Sequence, residues 1–434
     1  MWPLGSAVRV GLDDTDSLTG GCTTHALFAL LAAVPELALA APPSLVRLNP
    51  NAPRKTRGNG AIAFDLVQPR GAPRVVGAWK GTALFAYPDG APVAASKELL
   101  ARLWTAVEQV AEPEAGAGLT LANEPPSASF YWEAVRGLVA TPEATGGLHA
   151  KRGDGWGLVG ARAAAAWPGP PSSFELIAYR EPNRVGTKRT VVAAPLAALD
   201  GAVTFHSFDA EADRLTCVPN TPCPVLAGLR GRDADALLDA GLAALRLAAE
   251  PFDTWMLWQS NQGSGDHVVR RDAIDAADAG LTVAVAALVT AAPRREAGGH
   301  LVVPCMDAES ARFDAVAFEP TKRFRDTVEA LRPGDAVAVV GALVGTTVQL
   351  EKVQVRSLAP DRVRVERLPC PACGKALKSV GVGAGLRCAA CGTKAPESER
   401  WRNEPRRIAL GWHEVPVAAR RHLHRPLAWD VTAT

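Results

Sequence analysis

Val8-Arg9-Val10-Gly11-Leu12-Asp13-Asp14-Thr15-Asp16-Ser17 is an apolar run that ends in three carboxylates within four residues. Residues 8–12 read as a buried strand. After a glycine-containing loop, Thr23-Thr24 open the apolar run Ala26–Val34, which reads as a helix. Strand, acidic loop and helix make an α/β unit with polar residues at the strand's C-terminal end, where open sheets bind ligands. Asp13, Asp14 and Asp16 repel one another unless a divalent cation, a helix N-terminus or basic side chains compensate. Two readings stand at this point. In one, the loop holds magnesium, which takes oxygen ligands from one or two carboxylates plus substrate phosphates. The basic loop Arg54-Lys55-Thr56-Arg57 then lies on the far side of those phosphates. In the other, the acidic loop is an Asx-turn and N-cap cluster. Nothing in the chain matches GxxxxGK[ST], so an ATP site here is of another design.

Outward from this unit, residues 45–48 and 61–67 read as two further strands, and Ala94–Val110 as an amphipathic helix. A second glycine-rich entry to a helix runs from Gly153 to Gly160 and is followed by a strand at Phe174–Tyr179. Ala-rich helices near 191–199 and 233–248 flank a strand-like Val203–Phe208, which suggests a small α+β domain. From Leu281 the texture changes to five short strands, 281–289, 300–305, 312–318, 336–344 and 347–357. They fit a small β-barrel such as an OB-fold, or else a β-sandwich fragment.

A basic tail from about residue 366 carries Cys370-Pro371-Ala372-Cys373-Gly374 and Cys388-Ala389-Ala390-Cys391-Gly392, two CxxC pairs separated by 14 residues. Four thiolates complete a tetrahedral zinc site and leave no open position for water, so this zinc is structural. A segment with so little core takes much of its folding energy from the metal, on the order of 10 kcal/mol. A barrel followed by a zinc ribbon with Arg-rich flanks, here Arg402–Arg407 and Arg420–Arg425, suits single-stranded or looped RNA. Trp401 and Trp412 suit base stacking or packing of the ribbon. With a net charge of only +2, any nucleic-acid contact has to come from such local clusters. A length of 434 residues implies two to four domains. The other cysteines (Cys22, Cys217, Cys223, Cys305) read as buried apolar residues of a reducing compartment, with Cys22 set apart by its neighbours. No apolar run is long enough to span a membrane, and the N-terminus carries no signal-peptide pattern, which favours a cytoplasmic protein.

Gly11–Ser17 with Cys22-Thr23-Thr24 resembles the N-terminal signature of the archaeal-type tRNA-Ile 2-agmatinylcytidine synthetases (the TiaS family). So do Arg47–Asn51 with Lys55–Gly60, Gly157–Ala161, Glu175–Arg180, Ser260–Gly263 with Asp266-His267, Glu319–Lys322, Leu350–Lys352 and Arg420–Leu423. The resemblance runs in order along nearly the whole chain. It implies a multidomain α+β protein: a kinase-like α/β ATP-binding domain over 1–195, a ferredoxin-like domain over 196–270, an OB-fold over 276–360, and a zinc ribbon with a tRNA-binding tail over 366–434. Residues 71–125 are assignable to either of the first two.

The implied activity is that of an ATP-dependent tRNA-modifying ligase. ATP phosphorylates the 2-carbonyl oxygen of the wobble cytidine in a tRNA-Ile with a CAU anticodon. The amine of agmatine then displaces the phosphate, so that the anticodon reads AUA. The implied catalytic residues are Asp13, Asp14 and Asp16, which hold magnesium (Asp13 and Asp14 as its ligands) and the ATP phosphates, and Thr23, matching a threonine that becomes phosphorylated. Arg54, Lys55 and Arg57 are the expected phosphate contacts, and Lys352, Arg421 and His422 the expected RNA contacts. Extraction of the nucleotide is required to reach its carbonyl. Asp209 and Glu211 are carboxylates that suit a guanidinium, with surface charge as the alternative. Two rivals are a related enzyme using another amine and a non-catalytic OB-fold/zinc-ribbon nucleic-acid-binding protein, which has no use for clustered carboxylates.

Overall fold

The apolar residues Val8, Val10 and Leu12 alternate with Arg9 and Gly11, and all five are buried. A strand covered on both faces belongs in the middle of a sheet. The computed structural model, which describes residues 7–140 and 147–429, places it there. Val8–Asp13 (β1) lies between Gly60–Val67 and Gly118–Ala122, antiparallel to both, with Val10 opposite Phe64 and Leu121. Thr23–Ala33 (α1) and Lys97–Val110 (α2) cover the Val10 face through Leu27, Phe28, Leu103 and Val107. Ala128–Arg136 (α3) and Trp156–Ala165 (α4) cover the other, where the Arg9 guanidinium donates to the Ala165 carbonyl at 2.7 Å. The strand–loop–helix unit is therefore present, within a mixed sheet.

The same sheet continues into a second unit, and its eleven strands span both. Ser44–Arg47 (β2) pairs antiparallel with Gly60–Val67 and parallel with Thr254–Ser260, so one short strand stitches the units together. A hairpin of Arg74–Trp79 and Thr82–Ala86 makes a second bridge, with Ala78 opposite Trp255. Ser173–Tyr179 (β3) runs between Val225–Gly231 (β4) and Thr254–Ser260 (β5), antiparallel to each. β3 falls inside the stretch expected to form the N-terminal domain, yet it is the central strand of this second unit. Two Ala-rich helical segments, Ala193–Ala197 and Leu237–Ala248, pack over it through Leu196, Leu237 and Leu245. Val203–Phe208, expected as a strand, is mostly turn, because a half-buried Asp200 carboxylate accepts from the Ser207 amide and closes a tight loop.

All five strands expected after Leu281 form within one or two residues of their expected ends. They are Thr282–Val289 (β6), Leu301–Met306 (β7), Arg312–Ala317 (β8), Ala336–Val344 (β9) and Thr347–Ser357 (β10). They pair in the order β6-β9-β10-β8-β7, and β7 returns to β6 with Leu288 opposite Met306. That closure makes a barrel and removes the sandwich alternative. Phe324–Glu329 (α5), between β8 and β9, buries Phe324 and Val328 in the barrel core.

The cysteine segment forms a small three-stranded ribbon with an apolar core of Leu368, Leu377, Leu386 and Ala395. Its two knuckles repeat one hydrogen-bond pattern. The Gly374 amide donates to the Cys370 carbonyl at 2.8 Å, and the Gly392 amide to the Cys388 carbonyl at 3.0 Å. The four thiol sulfurs lie within 4.8 Å of one another. Trp401 and Trp412 are exposed and belong to no part of the ribbon core. After the ribbon the chain returns to the barrel, where Gly411–Glu414 (β11) adds antiparallel to β10. Arg406, from the first Arg cluster, is buried against Asp335 at 2.6 Å, so part of that cluster is structural. Among the described residues no helix is long and apolar enough to cross a membrane.

Stripping zinc with a chelator is expected to abolish amide protection across residues 369–396, since that core is too small to hold alone. The barrel, whose closure involves no ribbon residue, keeps its protection in the same hydrogen-exchange measurement.

Candidate active site

A cleft of about 570 Å³ opens where β1, the N-terminus of α1, the loop 52–60 and the strands of the second unit meet. Asp13, Asp14, Asp16, Thr23, Arg54, Lys55 and Arg57 all line it. The structure thus brings together every expected catalytic and phosphate-binding residue.

The acidic loop is held in a costly arrangement. Helix α4 lies so close to β1 that a Cβ at Gly160 would sit 1.7 Å from an Asp13 carboxylate oxygen. Asp14 adopts φ 56°, a left-handed conformation that Asp tolerates better than most residues. Burial, and then the neighbouring Asp14, push the Asp13 carboxyl well above the usual carboxylate range. Burial and then Asp16 push Asp14 up to about 6. Asp16 has a different environment. It accepts from the Thr56 hydroxyl at 3.0 Å and from the Arg57 guanidinium, which also donates to the Gly21 carbonyl at 2.9 Å. The three carboxylates therefore divide into a repelling, uncompensated pair and a paired third. Basic loop and acidic loop are already clasped.

Thr23 begins α1, and its hydroxyl accepts from the Thr15 hydroxyl at 3.3 Å. Arg54 pairs with Asp154 and lies 5.3 Å over the Trp156 ring, while Lys55 donates to the Pro50 carbonyl. Cys22, Cys217 and Cys223 also line the cleft. Burial raises the Cys22 thiol, and raises Cys217 to about 12, so both are neutral thiols.

The floor of the cleft holds a charged group that had no role assigned from the sequence, although Glu175 and Arg47 lie in the stretches that resemble the family. Glu175 on β3 lies 3.4 Å from Arg47 at the end of β2 and 3.6 Å from Arg230 on β4, and it accepts from the Gln262 amide. The available signal was a charge inside an apolar strand: Glu175 sits between Phe174 and Leu176, and Arg230 follows Leu229. His422 joins the same floor, its Nδ1 3.0 Å from Gln262 Oε1.

The remaining expected contacts lie elsewhere. Arg421 donates to Asn51 beside the cleft and lies 3.2 Å from Glu351 of the barrel. Lys352 is on β10 opposite Glu414 of β11. Asp209 and Glu211 do not line the cleft. Asp209 is neither a cleft carboxylate nor surface charge: it is buried, accepting from the Glu211, Ala212 and Ala418 amides. Glu211 lies 3.5 Å from Arg323.

Three family models match the chain: the TiaS TCKD domain over residues 9–153, the TiaS FLD domain over 155–267, and the TiaS C-terminal zinc ribbon domain over 369–408. The isoleucine-tRNA 2-agmatinylcytidine synthetase TiaS of Archaeoglobus fulgidus is 35% identical over 436 residues, covering 97% of each chain. A crystal structure of TiaS with its isoleucine tRNA and ATP superposes with a TM-score of 0.81 at 30% identity, covering 98% of this chain and 97% of that one. Another, of TiaS with that tRNA, AMPCPP and agmatine, superposes with a TM-score of 0.78 at 29% identity, covering 98% and 97%.

Asp14→Asn separates stability from function. The folded-state pKa of Asp14 is raised from its unfolded value to about 6, so its favourable contribution exists below the unfolded pKa and is lost as pH rises through about 6. At pH 7–8 the ligand-free variant should therefore be more stable, by on the order of 1–2 kcal/mol, and near pH 4 the gain should vanish. Thermal melts at the two pH values check this. Gly160→Ala should cost about 1–3 kcal/mol, because the new methyl group displaces the Asp13 carboxylate or α4 itself.

Proposed function

The chain belongs to the TiaS family of tRNA-Ile 2-agmatinylcytidine synthetases, and from that premise we propose how its cleft performs the family's reaction. The protein is an ATP-dependent ligase that joins agmatine to the wobble cytidine of an isoleucine tRNA with a CAU anticodon. The observation that carries this reading is the half-buried Asp13–Asp14 pair facing a cleft, in a chain similar to TiaS along 97% of its length.

Two uncompensated carboxylates with raised proton affinity fit a divalent cation, which lowers their cost by replacing their protons. Asp13 and Asp14 would hold magnesium, which supplies charge neutralisation at the ATP phosphates. Asp16 keeps Arg57 oriented, and Arg54, Lys55 and Arg57 face the transferred phosphoryl group. Thr23, at the N-terminus of α1, is the hydroxyl suited to carry a phosphate.

The 2-carbonyl oxygen of cytosine is a poor leaving group until it accepts the phosphoryl group. Attack by the agmatine amine at the same carbon forms the C–N bond and expels phosphate, with the amine's protons passing to solvent or phosphate. Carboxylates and guanidinium groups on one wall thus supply phosphoryl activation, and the rest of the cleft receives the nucleotide and amine. The wobble nucleotide has to leave its stack to enter.

We assign the first unit as kinase-like, the second as ferredoxin-like and the five-stranded barrel as an OB-fold. With the zinc ribbon, the barrel provides the surface for the anticodon arm. Exposed Trp401 and Trp412 suit stacking there, and Lys352, Arg421 and His422 contact RNA where it passes from barrel to cleft. A tRNA substrate places the work in the cytoplasm.

Mass spectrometry of the tRNA after incubation with protein, ATP, magnesium and agmatine tests the reaction. The expected gain on the wobble cytidine equals agmatine minus water, and Asp14→Asn is expected to reduce its rate at least about 100-fold. ATP consumption without a mass gain would overturn the amine or the RNA assignment. No RNA-stimulated consumption in the wild type would favour a binding protein.

A further inference from the structure

The floor of the cleft fixes one hydrogen-bonding group through a chain of obligatory partners. Glu175 is buried and, as a carboxylate, only accepts. The Gln262 amide nitrogen donates to it, so the amide oxygen of Gln262 must face the other way. That oxygen lies 3.0 Å from His422 Nδ1, and an amide oxygen also only accepts. Nδ1 therefore carries the proton.

The ring is also kept neutral. Burial, then Arg47 and Arg230, hold the His422 imidazole well below its usual pKa. In a neutral imidazole whose Nδ1 is protonated, Nε2 is a bare lone pair. Nε2 makes no hydrogen bond among the described residues, and it is not among the buried atoms that lack a partner. It faces Gly58 of the phosphate-side loop, where a Cβ would come within 2.5 Å of it. The backbone holds the ring in place, since the Gly263 amide donates to the His422 carbonyl at 3.0 Å and the Gly265 amide to the Leu423 carbonyl at 2.9 Å.

A locked acceptor at the floor of a cleft that receives a base is a reading element. Two donors that make no hydrogen bond, Arg47 Nε and Arg230 Nε (the latter 3.6 Å from the Glu175 carboxylate), are buried on the same floor. One acceptor with neighbouring donors is the complement of cytosine, whose pairing edge offers one amino donor and two acceptors. We propose that His422 selects the base: its Nε2 accepts a hydrogen bond from an exocyclic amino group, in this reaction the 4-amino group of the wobble cytidine. The inference rests on the reaction proposed above. Uracil presents a carbonyl oxygen at the same place, so two lone pairs would meet and the base is refused. Phosphorylation of the 2-oxygen withdraws electrons from the ring and makes the amino group a stronger donor. The contact therefore strengthens in the activated base, where it assists catalysis. Gln262 and Glu175 act as positioning residues that set the tautomer.

The test compares tRNAs carrying cytidine or pyrimidin-2-one riboside at the wobble position, the latter lacking only the 4-amino group. In the wild type, loss of that group is expected to lower kcat/KM about 10- to 100-fold. In His422→Ala, cytidine should fall by a similar factor and the ratio of the two substrates should approach one. His422→Gln, whose amide oxygen can still accept, should recover part of the ratio, and this separates base reading from a folding defect. A wild-type ratio in His422→Ala would overturn the proposal. So would loss of discrimination between ATP and purine riboside triphosphate instead, because the amino group read would then be adenine's.

Nitrogen-15 NMR of labelled histidine reads the tautomer in the ligand-free protein without any substrate. A proton on Nε2 would sink the lock. Failure of the wild type to modify any tRNA, with the tautomer as stated, would remove the reaction and the base assignment with it.

Discussion

The cleft depends on one close approach, that of α4 to the end of β1. The Asp13 carboxylate rests against Gly160, and Gly11 one turn of packing away would place a Cβ 2.0 Å from the Ala161 carbonyl. Only hydrogen fits at either position. The helix can therefore press onto the strand and exclude water from the acidic loop, which is what raises Asp13 and Asp14 above the usual carboxylate range. Local stability is lost where two half-buried carboxylates are held side by side.

The opposite wall is organised by a different constraint, the satisfaction of buried charge. Glu175, Arg47, Arg230, Gln262 and His422 come from five separate segments and meet only because β2 pairs with both units of the sheet. The tail then crosses from the barrel to the same floor. Its Ala418 amide is accepted by Asp209, its Arg420 lies 2.7 Å from His206, and its His424 lies 2.8 Å from Glu414. Glu351 of the barrel is held well below the usual carboxylate range despite its burial, chiefly by hydrogen bonds from His267 and His424. Barrel, tail and cleft are consequently one connected polar structure.

Legibility in the sequence tracked the range of the interaction responsible. The zinc site depends on two knuckles of five residues each, and CxxCG spacing states that outright. The barrel strands depend on alternation and turn residues over ten residues or so, and all five are where the pattern puts them. The Asp13–Ser17 loop with Thr23 is likewise local, since a strand and the helix after it carry both. Asp209 shows the opposite case. Its charge in an Ala-rich stretch suggested surface or ligand, whereas two amides of its own loop and one from Ala418, far along the chain, satisfy it in a buried position.

Resemblance along the whole chain identified the family and the residues of the acidic wall, and those conclusions needed no coordinates. Tertiary structure alone decided that Asp16 is clasped by Arg57 while Asp13 and Asp14 stay uncompensated, that β3 is the central strand of the second unit, and that the tail returns to the cleft. The difference is physical. Local sequence dictates backbone conformation and metal ligation through neighbours a few bonds away. The protonation state of a carboxyl or an imidazole depends on which charges and dipoles the whole chain gathers around it, and for His422 those come from positions as far away as Arg47.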